Sequence, residues 1–265
     1  MANQNQKNNK LLLPPYASQG GHPTKLVKEL LKLIPEHEIF IEPLFGGGSI
    51  FWSKPKAKLE IINDIDPILT NFLKQLQNAN IQKLNCNMTP SKEKFKEIRK
   101  RGVKTICDFL YLNKHSYAGS MKSFAHRTIC KDDKCGIKRL RKNLDKYKER
   151  LRNVKIETLD FRDLLKKYKH LDGPNTFYFV NPPYPTFTKE RGCKWDHGCG
   201  MNPQIVKDAI KDLKGKIMIT ESDDPKTREV FCNDPKFKCI KTITTKGGAC
   251  EKRKCEVKHL IITNY

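Results

Sequence analysis

Apolar positions along this chain follow two patterns that alternate: helical spacing in some stretches, short continuous runs in others. Over residues 23–34, Leu26, Val27, Leu30, Leu31 and Ile34 fall three and four apart, which predicts a helix that Pro35 ends. Residues 38–42 (EIFIE) then read as a short strand running into PLFGGGS, and 59–62 (LEII) as a second strand closed by NDIDP. Strand, turn, helix, strand is the order of a parallel sheet with helices on its faces. The pattern resumes with a strand at 154–159, a short helix at 162–168, and strands at 176–180 and 216–220 (KIMIT). Residues 237–244 and 256–263, separated by a Gly-Gly turn region, read as an antiparallel hairpin.

Residues 69–151 break the alternation. They are helical in character and lysine-rich, with Phe95, Ile98, Ile106, Phe109 and Leu110 as apolar faces. The reading is one α/β domain formed by 1–68 and 152–265, interrupted by an inserted, mainly helical domain at 69–151.

Charge sharpens that division. The chain carries 52 Lys+Arg against 29 Asp+Glu, a formal +23. Residues 69–151 hold 21 of the basic residues and seven acidic ones, a net +14 in one contiguous segment. A concentrated cationic surface fits a polyanion, most simply nucleic acid, whose counterions are released on binding. No apolar run approaches 18 residues, and MANQNQKNNK reads as a polar tail rather than a signal peptide, so a soluble, intracellular protein is expected. The ten cysteines include no C-x2-C spacing and are expected to be reduced structural thiols. The alternative is a zinc site, with His126, His197 or His259 assisting, most readily at Cys193 and Cys199, which flank Trp195 and His197.

Candidate chemistry concentrates at two strand ends. Gly46, Gly47 and Gly48 present no Cβ and suit close approach of a ligand to backbone, while Asp64 at the next strand end suits a ribose hydroxyl pair. The second place is FVNPPY. Two prolines stop the strand, because proline lacks a ladder donor and fixes φ. Adenine N6 is a poor nucleophile, since its lone pair is delocalised into the ring. Acceptors for its two hydrogens free that lone pair, and the Asn181 side-chain oxygen and the Pro182 carbonyl can supply them. Pro182 and Pro183 hold those acceptors in place, and Tyr184 offers a face on which a base can stack.

These motifs, in this order, resemble the Dam-like class of S-adenosylmethionine-dependent adenine-N6 DNA methyltransferases. YASQGGHPTKLVKELLKLIP is similar to the family's first cofactor-binding motif, FIEPLFGGGS to its glycine loop, NDID to its ribose-binding strand end, and LDF to the short motif upstream of the catalytic one. FLYLNKHSYAGSMKSF is faintly similar to the central signature of the target-recognition domain, and EVKHLIITNY to the closing strand. The resemblance implies a doubly wound, Rossmann-like methyltransferase sheet with the antiparallel hairpin at its C-terminal end and a recognition domain at 69–151. It implies Tyr16, Lys25, Glu42, Pro43, Phe45, Gly46, Gly48, Asp64, Asp160, Phe161 and Asn181 as S-adenosylmethionine-binding residues, and Asn181, Pro182, Pro183 and Tyr184 as the catalytic motif. Methyl transfer would be a direct displacement, with no catalytic cysteine and no metal. The implied partner is duplex DNA, with the target adenine flipped out; a cognate restriction endonuclease is a further candidate partner, and a monomer or weak dimer is expected. Residues among 113–127 are candidates for reading base edges.

Three departures bear on this. Asn181 stands where the family usually has Asp, His22 where a cofactor-contacting Lys is usual (Lys25 being the nearest substitute), and Leu44 where Phe is common. Competing readings are an RNA adenine methyltransferase, a glutamine side-chain methyltransferase, a catalytically decayed DNA-binding relative, and a zinc-dependent nucleic-acid module.

Overall fold

The computed structural model describes residues 11–17, 22–80, 84, 86–125, 137–184, 201–246 and 256–265. Its centre is a seven-stranded sheet of β1 (Ile39–Glu42), β2 (Leu59–Asn63), β3 (Lys155–Glu157), β4 (Thr176–Val180), β5 (Lys216–Ser222), β6 (Lys238–Lys246) and β7 (Glu256–Thr263). The strand order is β3-β2-β1-β4-β5-β7-β6. The first five run parallel, and β7 lies antiparallel between β5 and β6, which makes the expected hairpin.

The sheet has helices on both faces, and the pleat assigns each strand residue to one of them. Successive residues of a strand point to opposite sides. In β1, Phe40 enters one core cluster and Ile41 the other; in β4, Phe177 and Phe179 go with Phe40, while Tyr178 and Val180 go with Ile41. All five β4 residues are buried, as a central strand covered on both faces requires. One face is covered by α1 (Thr24–Leu31), α2 (Ser49–Ser53), α3 (Pro67–Gln77), α5 (Ile106–Lys114) and α6 (Ile137–Leu151), the other by α7 (Phe161–Lys167), α8 (Pro203–Ile210) and α9 (Pro225–Cys232).

Most of the 69–151 segment therefore shares the sheet's own core. Leu69, Phe72 and Leu76 of α3, Phe109 and Leu110 of α5, and Leu140, Leu144 and Tyr147 of α6 sit in the cluster that contains Phe40 and Phe177. A smaller cluster, Phe95 and Ile98 of α4 (Lys92–Arg101) with Tyr111 and Leu112 on the outer side of α5, stands apart from it. An ion triad fastens α6 to the sheet: Lys54 Nζ lies 2.7 Å from Glu60 Oε1, the Arg150 guanidinium grips both Glu60 oxygens, and its Nε donates to the Phe51 carbonyl at 2.8 Å.

The cysteines correct one expectation. Cys86 is bonded to Cys107 and Cys232 to Cys239, with Cα separations of 5.2 and 5.6 Å, so these four are disulfides and not reduced thiols. The reason is tertiary packing, which seats the chain before α4 against the start of α5 and the end of α9 against β6. Cys193, Trp195, His197, Cys199 and His126, the zinc candidates, lie outside the described residues; among the described residues no cluster of metal-ligating side chains is found. No described helix is long and apolar enough to cross a membrane.

Candidate functional site at the carboxyl ends of β1 and β4

β1 and β4 are neighbours in register, Phe40 opposite Phe177 and Ile41 opposite Tyr178. From β1 the chain winds outward to β2 and β3; from β4 it winds the other way to β5. The reversal leaves a crevice between their carboxyl ends, where open α/β sheets bind ligands. Both motifs singled out in the sequence leave the sheet there, the glycine loop from β1 and Asn-Pro-Pro-Tyr from β4.

The glycine loop is held by neighbouring strand ends. Gly46 and Gly48 have φ of +49° and +59°. A Cβ on Gly48 would lie 2.2 Å from Phe45 Cζ, so only glycine fits against that buried ring. The Gly46 N–H donates to Asp64 Oδ2 at 2.8 Å, and the Asp66 N–H donates to Asp64 Oδ1 at 2.9 Å. The Tyr16 hydroxyl donates to the Gly46 carbonyl at 2.6 Å, with its ring edge-on to Phe72 and Phe109. Asn63, which sequence reading passed over except as part of NDID, is the hub beneath: its amide donates to the carbonyls of Pro43 and Leu159 at 2.9 Å each and accepts from the Leu159 N–H.

Glu42 ends β1 at 1% exposure. Burial raises its carboxyl well above the ordinary range, against the opposing pull of Lys54 and Arg150. Its Oε2 has no hydrogen-bond partner among the described residues. A buried, unpartnered carboxyl oxygen beside the glycine loop fits a ligand bringing a polar hydrogen to the head of the crevice, as the amino acid end of S-adenosylmethionine would. Asp64, just past the end of β2, fits the ribose end of the same group, a carboxylate being an acceptor for hydroxyl hydrogens.

Other expected cofactor residues are placed differently. Lys25 is exposed on α1. His22 reaches inward instead, its N–H donating to Ser49 Oγ at 3.2 Å and its ring standing edge-on to Phe179. Asp160 accepts from the backbone and guanidinium of Arg162, which holds its carboxyl below the ordinary range. Phe161 is buried in the core on the α7 face.

At β4, Asn181 Oδ1 accepts from the Thr220 hydroxyl at 2.8 Å, and His22 Nε2 lies 3.2 Å from that same hydroxyl oxygen. Tyr184 is 7% exposed, and its hydroxyl pairs with His259 Nδ1 at 2.9 Å, whose Nε2 pairs with Thr245 Oγ1 at 2.8 Å. The ring expected to offer an open stacking face is thus enclosed in this arrangement. Burial lowers the His22 pKa to about 3, with His259 adding to the effect, and lowers that of His259 to about 4. Glu221, on β5 beside Thr220, is pushed up to about 8 by burial. Thr220, Glu221 and Thr245 escaped the sequence reading; the signal for the first two was a polar pair inside the apolar run KIMITES.

A cleft of about 400 Å3 opens between α4 and residues 122–124, lined by Lys92, Lys96, Arg99, Lys122 and Phe124. Asn113, on α5, ties this region to the N-terminal segment: it accepts from the Ala17 N–H at 2.9 Å and donates to the carbonyls of Ala17 and Gly119 at 2.8 and 3.1 Å.

Comparison with known proteins bears on this geometry. Type II methyltransferase M1.LlaDCHI of Lactococcus lactis subsp. cremoris is 24% identical over 97% of this chain and 97% of its own. Among solved structures, an O-methyltransferase from Bacillus cereus in complex with SAH is 11% identical, covering 93% of this chain and 83% of its own, with a TM-score of 0.43. The rRNA methyltransferase aviRa from Streptomyces viridochromogenes is 13% identical, covering 92% and 85%, with a TM-score of 0.41. Residues 20–246 match the profile of one family, a span that takes in His22, the glycine loop, Asp64 and Asn181. The chain belongs to the D12 class of N6 adenine-specific DNA methyltransferases, and S-adenosylmethionine is its methyl donor.

Proposed function

We propose that this enzyme methylates a specific adenine in duplex DNA, with the glycine-loop side of the crevice holding S-adenosylmethionine and the Asn-Pro-Pro-Tyr side receiving the flipped base. The observation that carries this reading is the adjacency of the two motifs at the ends of the paired strands β1 and β4. That adjacency supports reading the two strand ends as a donor pocket beside a claw for a planar amine.

The bound cofactor supplies an electrophilic methyl group on a sulfonium. The chain's own residues position the nucleophile. Asn181 Oδ1 and the Pro182 carbonyl accept the two N6 hydrogens, so that the nitrogen lone pair turns out of the ring plane toward the methyl group. The two prolines fix the acceptors before the base arrives, which lowers the reorganisation needed at the transition state. Glu42 and Asp64 hold the two ends of the donor, and Tyr16 pins the Gly46 carbonyl. No nucleophilic side chain takes part. Tyr184 stacks on the base once its hydroxyl leaves His259. The basic cleft between α4 and residues 122–124 takes backbone phosphate, and a few residues among 113–127 supply base-edge contacts. A cognate restriction endonuclease is proposed as the biological partner, by analogy with the type II system to which the name of the Lactococcus relative refers.

The test is transfer from labelled S-adenosylmethionine to duplex DNA and to RNA, followed by nucleoside digestion and mass spectrometry. The expected product is N6-methyladenine in DNA, absent in Asn181→Ala and Asp64→Ala. Label confined to RNA would overturn the substrate.

A further inference from the structure

Thr220 is fully buried within a β5 run otherwise composed of Ile217, Met218 and Ile219. A buried hydroxyl in a central strand costs stability unless paired, and here its hydrogen goes to Asn181 Oδ1 at 2.8 Å. On its other side stands His22 Nε2, 3.2 Å from Thr220 Oγ1. These three residues, from the N-terminal segment, β5 and the end of β4, form one directional set.

We propose that Thr220 and His22 are positioning residues for methyl transfer: they hold the Asn181 amide in the flip state that keeps Oδ1, and not Nδ2, in the acceptor position. The inference rests on the reading of Asn181 as an N6 acceptor. An aspartate presents two equivalent oxygens and needs no sorting. An asparagine has two nearly isosteric orientations, and the wrong one sets its NH2 against the N6 hydrogens of adenine, donor against donor. A neutral His22 donates from Nε2 to Thr220 Oγ1, which commits the threonine hydrogen to Asn181 and leaves the second Oδ1 lone pair for the substrate. Burial keeps His22 neutral throughout the physiological range, which supports this direction of donation.

The experiment compares wild type, Thr220→Val, Thr220→Ser and Asn181→Asp, together with Thr220→Val in the Asn181→Asp background, in steady-state methylation of duplex DNA. Thermal melting and cofactor affinity serve as folding controls. Thr220→Val should lower kcat about tenfold, the scale of one lost hydrogen bond, with KM for DNA within about twofold of wild type. Thr220→Ser should restore kcat to within about threefold. In the Asn181→Asp background Thr220→Val should change kcat by less than about twofold. If Thr220→Val does not fold, His22→Phe, which keeps a ring and loses the donor, is read in the same way. Wild-type kcat in Thr220→Val, equal damage in Thr220→Ser, or the same tenfold loss in the Asn181→Asp background would each overturn the inference. A wild-type enzyme that forms no N6-methyladenine in DNA would overturn the underlying reading instead, which keeps the two failures distinct.

Discussion

The Gly46 N–H and the Asp64 carboxylate meet at 2.8 Å, and that bond fastens the loop after β1 to the end of β2. Asp64 therefore shapes the loop that the proposed function assigns to the methyl donor, in addition to the ribose contact proposed for it. Asp64→Ala removes the acceptor for Gly46 and for Asp66 together. Hydrogen bonds to a charged group are worth about 1.5–3 kcal/mol, so the Kd for S-adenosylmethionine should rise by at least tenfold, measured by titration calorimetry. Asp64→Asn keeps one acceptor oxygen and should fall between the two. An unchanged Kd in Asp64→Ala would remove Asp64 from the pocket.

Gly48 lies one turn of chain further on, and its substitution is a packing question. Gly48→Ala places a methyl group 2.2 Å from Phe45 Cζ at a φ of +59°. Left-handed backbone costs a non-glycine residue about 1–2 kcal/mol, and overpacking about 1–3 more. Tm should drop by roughly 5–15 °C for a chain of this size. Phe45→Leu, which withdraws the opposing ring, should recover part of the loss when combined with Gly48→Ala. Additive destabilisation in the double variant would show that the ring is not the obstacle.

Much of this site is legible in the chain because it sits at strand ends. The apolar run 176–180 ends at Asn181 because two prolines follow, and 39–42 ends at a loop of glycines; both boundaries are local chemistry. The α8 and α9 helices were not anticipated, and the helix between the first two strands was expected only from the strand, turn, helix, strand order, since α2 is five residues long, too short for a helical period to show. The polar array is less legible still. His22 and Thr220 are separated by 198 positions, and Tyr184 and His259 by 75, so their meeting is a product of the sheet order and of nothing nearby in the chain. The same holds for the lysine-rich segment. Its charge marks it as a unit, but Phe72 stacks on Phe109 at 4.1 Å inside the sheet's own core, which no charge count registers.

The buried triad gives an ordering of effects. Glu60 carries two cations, Lys54 and Arg150. Arg150→Met leaves the Lys54–Glu60 pair intact, whereas Glu60→Gln strands two buried cations without an anion. Breaking a buried pair costs about 3–5 kcal/mol, so Glu60→Gln should lie at or above the top of that range and Arg150→Met toward the bottom, read from urea unfolding. The reverse order would mean that Arg150 acts through its stacking on Phe51, 3.7 Å from the ring centre, more than through charge.

His259 and Glu221 should give opposite pH slopes in the same enzyme. The His259 pKa is about 4 in the fold against 6.5 in an ordinary environment, so between those values the unfolded chain binds a proton that the folded one refuses. Its contribution is complete above pH 6.5 and is lost as pH falls toward 4, on the order of 3 kcal/mol at 1.36 kcal/mol per pH unit. The Glu221 pKa is about 8 against 4.5, so the folded state holds a proton that the unfolded chain has released; its contribution is complete below 4.5 and is lost as pH rises toward 8. Because the two trends oppose each other, the wild-type profile alone does not separate them, and differences from variants do. From pH 7.5 to 5, the stability of wild type relative to His259→Gln should shrink, while that of wild type relative to Glu221→Gln should grow, both from urea midpoints. Parallel profiles for wild type and His259→Gln would mean that His259 titrates as an exposed histidine, and that its pairing with Tyr184 and Thr245 does not keep it neutral.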